Sequence, residues 1–505
     1  MASFEKYIQG ALSNLRLFLR RISWEQAVYI IFILTVAGAY FILSPGWGFM
    51  DDWQSRERAT LFWQGKMSFP DLINEDLQVF GRFRPLLYLW IVLAYQIPYP
   101  LFLYFLIFAT GAWVLLIWGK IIHQLLPEGG MTAEFKKYVY PLSFFAFLPF
   151  WNTFMYISLQ EKFIFIFGTL SLWFLVKSYR NNSFGYLWGA LSLAFLSILG
   201  KETGVVFLFS YAGYAALDLL IFKKNIKISK ILLLVSVIAG FSYVIFIKTI
   251  LGGYTAHYKS NLNIGVLLGM LKTIPGMMKV AIGIAGLSIL TAAYFWWGKR
   301  RQFLDPLFLI CPLWMIIYIL LLLPWGFPNY LLAPLAPFIM VSIYFLIAAW
   351  MPKQKPLIYL AQAAIIVIVF LVLLEIIIPR ISKMADKRKV VEAIVALNKE
   401  NPGKFFYPPH YQETAGALQN FSSVPITYAS AINEKNVSFR ENSFLVINDE
   451  ADAVVLENIY RDQLAYQNGT WQIWVLKEKK GQKEEFRLTL PLNTLQKIKS
   501  YLTSR

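Results

Sequence analysis

Residues 185–222 read GYLWGALSLAFLSILGKETGVVFLFSYAGYAALDLLIF, and this stretch decides the fold. Two apolar runs, 185–199 and 203–222, are parted by little more than Lys201 and Glu202. A hydrocarbon core needs about 20 apolar residues in one helix. The stretch therefore reads as two membrane-crossing helices joined by a tight turn. Gly200 and Gly204 suit such a turn, which has no need of an ionic pair.

Similar spans lie at 26–44, 101–119, 138–155, 162–178, 230–251, 278–297, 306–323, 329–350 and 357–378, about 11 in all with the first two. The apolar run 85–97 would cover only about 20 Å as a helix, short of a roughly 30 Å core. The whole composition agrees. Of 505 residues, 58% are apolar and 15% charged, against roughly 45–50% and about 25% in soluble domains. That excludes a soluble enzyme, a disordered chain and a nucleic-acid binder with a solvated basic face.

The formal charge of +18 reads as basic cytoplasmic loops held against anionic lipid. Lys6, Arg16, Arg20 and Arg21 put the N-terminus inside. Lys177/Arg180, Lys223–Lys230, Lys299–Arg301 and Lys353/Lys355 share that side only if 85–97 does not cross, so that run is a juxtamembrane or re-entrant helix. The expected organisation is a cytoplasmic segment 1–25, a transmembrane domain 26–379 with a first external loop at 45–100, and an extracytoplasmic domain 380–505. That last domain reads as α+β. It has a helix over 383–400, strand-like runs at 443–449, 451–459 and 470–478, and an Asn468-Gly469 turn. Compact loops and one cysteine, Cys311, favour the plasma membrane of a prokaryote. His123, His257 and His410 are far apart and lack metal-ligand spacing, so no metal and no cofactor are expected.

Charge at membrane depth costs about 2.5–3.5 kcal/mol per residue, which singles out three external clusters. GWGFMDDWQSRERA at 46–59 sets Asp51 and Asp52 between tryptophans. A carboxylate in such surroundings suits general-base work, and the segment equally suits an aromatic belt with a helix cap. GRFRPLLYLW at 81–90 places Arg82 and Arg84 before a proline-started helix, as a phosphate cradle or as anchors to lipid headgroups. The third is Lys201-Glu202, for which snorkelling at a helix end is the plain alternative. Glu161 in Gln160-Glu161-Lys162, His257 and Lys259 in YTAHYKS, and Asn329 and Tyr330 in PWGFPNYLLAPLAPF are weaker candidates on the same side.

At these residues the chain resembles the GT-C class of integral membrane glycosyltransferases, and is similar to protein O-mannosyltransferases and aminoarabinose transferases. The resemblance covers roughly 26–350, through Asp51-Asp52, R-P-L at 84–86, K-E-x-G at 201–204 and Y-L-L-x-P-L-x-P at 330–337. It implies transfer of a sugar from a polyprenyl-phosphate donor to an extracytoplasmic hydroxyl of a protein, lipid or glycan acceptor, by inverting single displacement. Asp51 would be the base. Arg82, Arg84 and Lys201 would hold the lipid phosphate, with Glu202 orienting Lys201. No cofactor is implied, though some enzymes of the class use a divalent metal. Asn329 stands where relatives often carry arginine. The competing readings are a transporter or flippase of lipid-linked glycans, and a glycan polymerase or ligase.

Overall fold

The computed structural model describes residues 22–45, 51–80, 82–97, 100–126, 131–146, 150, 153–154, 159–249, 276–297, 305–322, 333–350, 355–400, 404–407, 426–428, 443–447, 464–468 and 471–476. By internal contacts the chain forms two units. One comprises Met1–Ser44 and Ser55–Ile381, the other Pro45–Gln54 and Ser382–Arg505.

The first unit is helical. It contains α1 (Trp24–Leu43), the body of α2 (Asp51–Trp63), α3 (Phe69–Phe80), α4 (Pro85–Ala94) and α5 (Pro100–Leu125). There follow α6 (Glu161–Asn181), α7 (Phe184–Gly200), α8 (Glu202–Phe222), α9 (Ile226–Thr249) and α10 (Gly276–Trp297). α11 (Ile310–Leu322), α12 (Leu335–Trp350) and α13 (Lys355–Val372) complete it. A π turn, Leu373–Ile377, carries α13 on into α14 (Ile378–Glu400). Seven of the described helices are long and apolar enough to cross a membrane, and four shorter apolar ones accompany them. The chain is a helical membrane protein.

Local signals explain the boundaries. Ser23 and Gln26 form a capping box at the start of α1, and Ser44 closes it in the left-handed conformation. Asn182 and Lys223, both left-handed, end α6 and α8. α1 buries Tyr29, Phe32, Val36 and Tyr40 at helical spacing, yet its other face exposes Ile31, Leu34, Phe41 and Ile42. A helix apolar on every side belongs in lipid. α8 is well enclosed, packing on α7, α9 and α11.

One expected span differs. Within 138–155 the first half is not α-helical: Phe135–Val139 is a π turn and Tyr140–Ala146 a 3-10 helix, and of the later described residues only Phe150 and Thr153 are α-helical. Pro141 is the reason, since it lacks an N–H and its ring meets the carbonyl four residues back. The segment still runs beside α1. Trp24 meets Phe135, Tyr29 meets Tyr138, and Phe32 stacks on Phe145 at 5.3 Å. α4 has ten residues and is too short to cross, as its sequence requires.

The second unit holds a mixed five-stranded sheet of β1 (Lys404–Tyr407), β2 (Ile426–Tyr428), β3 (Ser443–Ile447), β4 (Leu464–Asn468) and β5 (Trp471–Leu476), in the order β2-β1-β3-β5-β4. β1 is parallel to β2 and β3, while β5 is antiparallel to β3 and β4. Asn468 pairs with Trp471 at the end of the β4–β5 ladder, and Gly469 of the expected turn lies outside the described residues. Asn468 also donates from Nδ2 to Asp386 on α14 at 3.1 Å. The run 451–459 lies outside the described residues.

Candidate functional site

Four pieces of sequence bring buried charge together in the first unit. α3 supplies Asp76, the segment before α4 supplies Arg82 and Arg84, and the start of α6 supplies Gln160, Glu161 and Lys162. The α7–α8 junction adds Lys201 and Glu202. Asp76, Arg84, Glu161, Lys162, Lys201 and Glu202 are all buried, none more than 7% exposed. A small apolar core fixes the frame: Ala59 of α2, Leu72 of α3, Leu87, Tyr88, Ile91 and Val92 of α4, and Phe163 of α6. The Trp63 indole donates to the Val92 carbonyl at 3.0 Å and ties α2 to α4.

Arg84 is the hub. Its Nε donates to Asp76 Oδ2 at 2.8 Å, one Nη donates to Asp76 Oδ1, and the other Nη donates to Gln160 Oε1. The planar fork thus grips a carboxylate with two bonds and an amide with a third. Burial alone would pull its pKa down, but the bonds and charge of Asp76 outweigh that and hold it above the ordinary guanidinium value. Tyr88, one turn into α4, is held above its usual phenol range by burial first and by the Asp76 charge second.

Lys201 Nζ donates to Glu161 Oε1 at 2.5 Å. Glycine makes this approach possible. A Cβ at Gly200 would lie 2.3 Å from Phe163 Cβ, and one at Gly204 would lie 2.6 Å from the Ser197 carbonyl carbon. Neither position has positive φ, so both glycines serve close packing and not a left-handed turn. Arg82 Nε is 3.7 Å from Glu202 Oε1, and 19% of the Arg82 side chain stays exposed. Phe83 fixes this segment by an edge contact with Phe246 of α9 at 5.7 Å. One turn earlier on α9, Tyr243 lies within electrostatic reach of Glu202 and Arg84. Lys162 Nζ sits 5.2 Å from the centre of the Trp90 ring, a cation–π contact.

Of the expected residues, Arg82, Arg84, Glu161, Lys201 and Glu202 come together. Their pairing differs from expectation in one respect. Glu161 holds Lys201, while Glu202 faces Arg82. Asp51 and Asp52 open α2, but they belong to the second unit and their side chains lie outside the described residues. His257, Lys259, Asn329 and Tyr330 also lie outside the described residues. Asp76 escaped the sequence reading, although a signal exists. It stands four residues after Leu72, on the face of α3 that is otherwise apolar and buried.

Chemically, four cations (Arg82, Arg84, Lys162, Lys201) face three carboxylates (Asp76, Glu161, Glu202), which leaves one positive charge in a largely dry setting. Arg84 and Lys201 are committed to protein carboxylates at hydrogen-bond distance. Arg82 is more exposed and its ion pair with Glu202 is longer, so it is the cation best placed to meet an incoming anion. Among the described residues, no group of three or more His, Cys, Asp or Glu is arranged to hold a metal ion. No protein-family model matches the chain, and no curated protein is significantly similar to it in sequence.

Proposed function

We propose that this chain is a membrane glycosyltransferase of the GT-C type, moving a sugar from a polyprenyl-phosphate donor to an extracytoplasmic hydroxyl. One observation carries the reading: the R-P and K-E segments converge in a single buried cluster with an excess positive charge. A departing lipid phosphate needs fixed positive charge in a low-dielectric site more than it needs a proton donor. Arg82 makes that contact in this reading. Arg84 and Lys201, held by Asp76 and Glu161, set the local potential and do not bind phosphate themselves. Asp51 as the base that deprotonates the acceptor rests on the resemblance alone, with Asp52 beside it. A base opposite the leaving group gives inversion through an oxocarbenium-like state.

The same reading takes the basic ends of α6–α9 as cytoplasmic. Lys177, Arg180, Lys223, Lys224, Lys227 and Lys230 lie at the helix ends away from the charge cluster, which supports an external site by the positive-inside rule. α7, α11, α12 and the 138–155 segment then join the seven long helices as eleven crossings, with the sheet domain outside.

The test is sugar transfer in reconstituted bilayers, read as release of polyprenyl phosphate from a polyprenyl-phosphate hexose with a mixed acceptor pool. Wild type turns over; Arg82→Gln loses about 10²–10³ in kcat, the scale for removing one fixed donor to developing charge. Movement of the lipid between leaflets without release of lipid phosphate would replace the transferase with a flippase.

A further inference from the structure

The ion pairs of the cluster leave part of it unsatisfied. Glu161 and Glu202 each direct Oε1 at a cation, and in both the second oxygen, Oε2, is buried with no hydrogen-bond partner among the described residues. The hydroxyl of Tyr243 is buried in the same condition. The three groups come from the start of α6, the start of α8 and the middle of α9. They are linked through Lys201, which bonds Glu161 and lies within electrostatic reach of Glu202, and through Glu202, which reaches Tyr243 in turn. Proteins rarely leave buried polar atoms unpaired, and where they do the atoms call for an explanation.

We infer that Glu161, Glu202 and Tyr243 form a subsite that recognises sugar hydroxyls on the lipid-linked donor, beside the phosphate contact at Arg82. The inference rests on the transferase reading and specifies its substrate. An ionised carboxylate can only accept hydrogen bonds, whereas a phenol can both donate and accept. The complement is a group rich in O–H or N–H donors that also carries acceptor oxygens, which describes adjacent hydroxyls on a sugar ring. An ammonium sugar fits less well. Each carboxylate already has its own cation, Lys201 or Arg82, so an added positive charge would find no uncompensated partner here. The subsite therefore selects a neutral, polyhydroxylated glycosyl group.

Binding to the full chain in lipid nanodiscs separates this inference from the reading beneath it, using two probes: bare polyprenyl phosphate and polyprenyl-phosphate hexose. The hexose form binds wild type at least about tenfold more tightly. Tyr243→Phe, which touches no ion pair, weakens the hexose form about 2- to 12-fold, the value of one neutral hydrogen bond. Glu161→Gln weakens it about 12- to 140-fold, as for a bond to a charged group. Tyr243→Phe leaves bare polyprenyl phosphate within about twofold, far below one lost hydrogen bond. Equal affinity of wild type for both lipids, or a hexose preference intact in both variants, overturns the subsite while leaving the phosphate contact standing. Failure of wild type to bind either lipid removes the transferase reading and the subsite with it.

Discussion

Asp76→Ala gives the sharpest test of how the cluster is held. The Arg84 side chain is 8% exposed and that of Asp76 is 0% exposed, and Asp76 receives two of the guanidinium's bonds. Removing the carboxylate leaves Arg84 with the Gln160 amide, a neutral acceptor, inside low-dielectric surroundings. Breaking a buried pair in this way costs about 3–5 kcal/mol, chiefly the penalty for an uncompensated buried charge. That shifts the unfolding equilibrium about 140- to 4,000-fold. The Arg58–Glu75 pair, which joins α2 to α3 one residue before Asp76, is the control. Its side chains are 21% and 36% exposed, and solvent screening keeps such pairs below about 1 kcal/mol. Reversible unfolding in mixed micelles titrated with denaturing detergent measures both. Replacing the whole pair, Asp76→Leu with Arg84→Met, should recover most of the loss, because no charge is then stranded. An Asp76→Ala midpoint no lower than that of Arg58→Ala would refute the buried-hub argument.

Two further outcomes follow from local geometry. Gly200→Ala drives a methyl against Phe163 Cβ, costs about 1–3 kcal/mol as overpacking, and is not relieved by Phe163→Ala because the clash is with Cβ itself; a thermal melt equal to wild type would contradict this. At the start of α3, Asp71 and Ser68 cap each other, with Asp71 Oδ2 accepting from the Ser68 amide at 2.8 Å and its hydroxyl at 2.5 Å. These bonds hold the Asp71 carboxyl below its usual range, so its stabilisation is complete above about pH 4 and lost as pH falls through the lowered value. Amide exchange in the first turn of α3, corrected for intrinsic rates, should rise over that acidic window in wild type and show no such rise in Asp71→Asn.

Much of this architecture was legible because the membrane imposes long, simple signals. The 185–222 hairpin, the proline-started α4 and the strands at 443–447 and 471–476 each follow from a local pattern. What was not legible depends on contacts between distant residues. Lys201 and Glu202 are neighbours in sequence, but the extended backbone at Lys201 turns into a 3-10 turn at Glu202. The two side chains find different partners. Asp76 was hidden because an acid inside an amphipathic helix reads as surface until the helix's buried face is known. The 3-10 course of residues 140–146 turns on Pro141, whose effect inside an apolar run depends on what neighbouring helices can re-satisfy.

The ion pairs also carry a message about biogenesis. Asp76 and Arg84 are eight residues apart, and Glu161 and Lys201 forty. A chain emerging from the ribosome can therefore neutralise the first pair within one short helix-loop and the second as soon as α7 is complete. Each enters lipid as a dipole and not as a naked charge. Arg82 can meet Glu202 only once the start of α8 has been made, and theirs is also the longest of these contacts, at 3.7 Å. The last of these ion pairs to form in synthesis is thus the longest in the finished molecule.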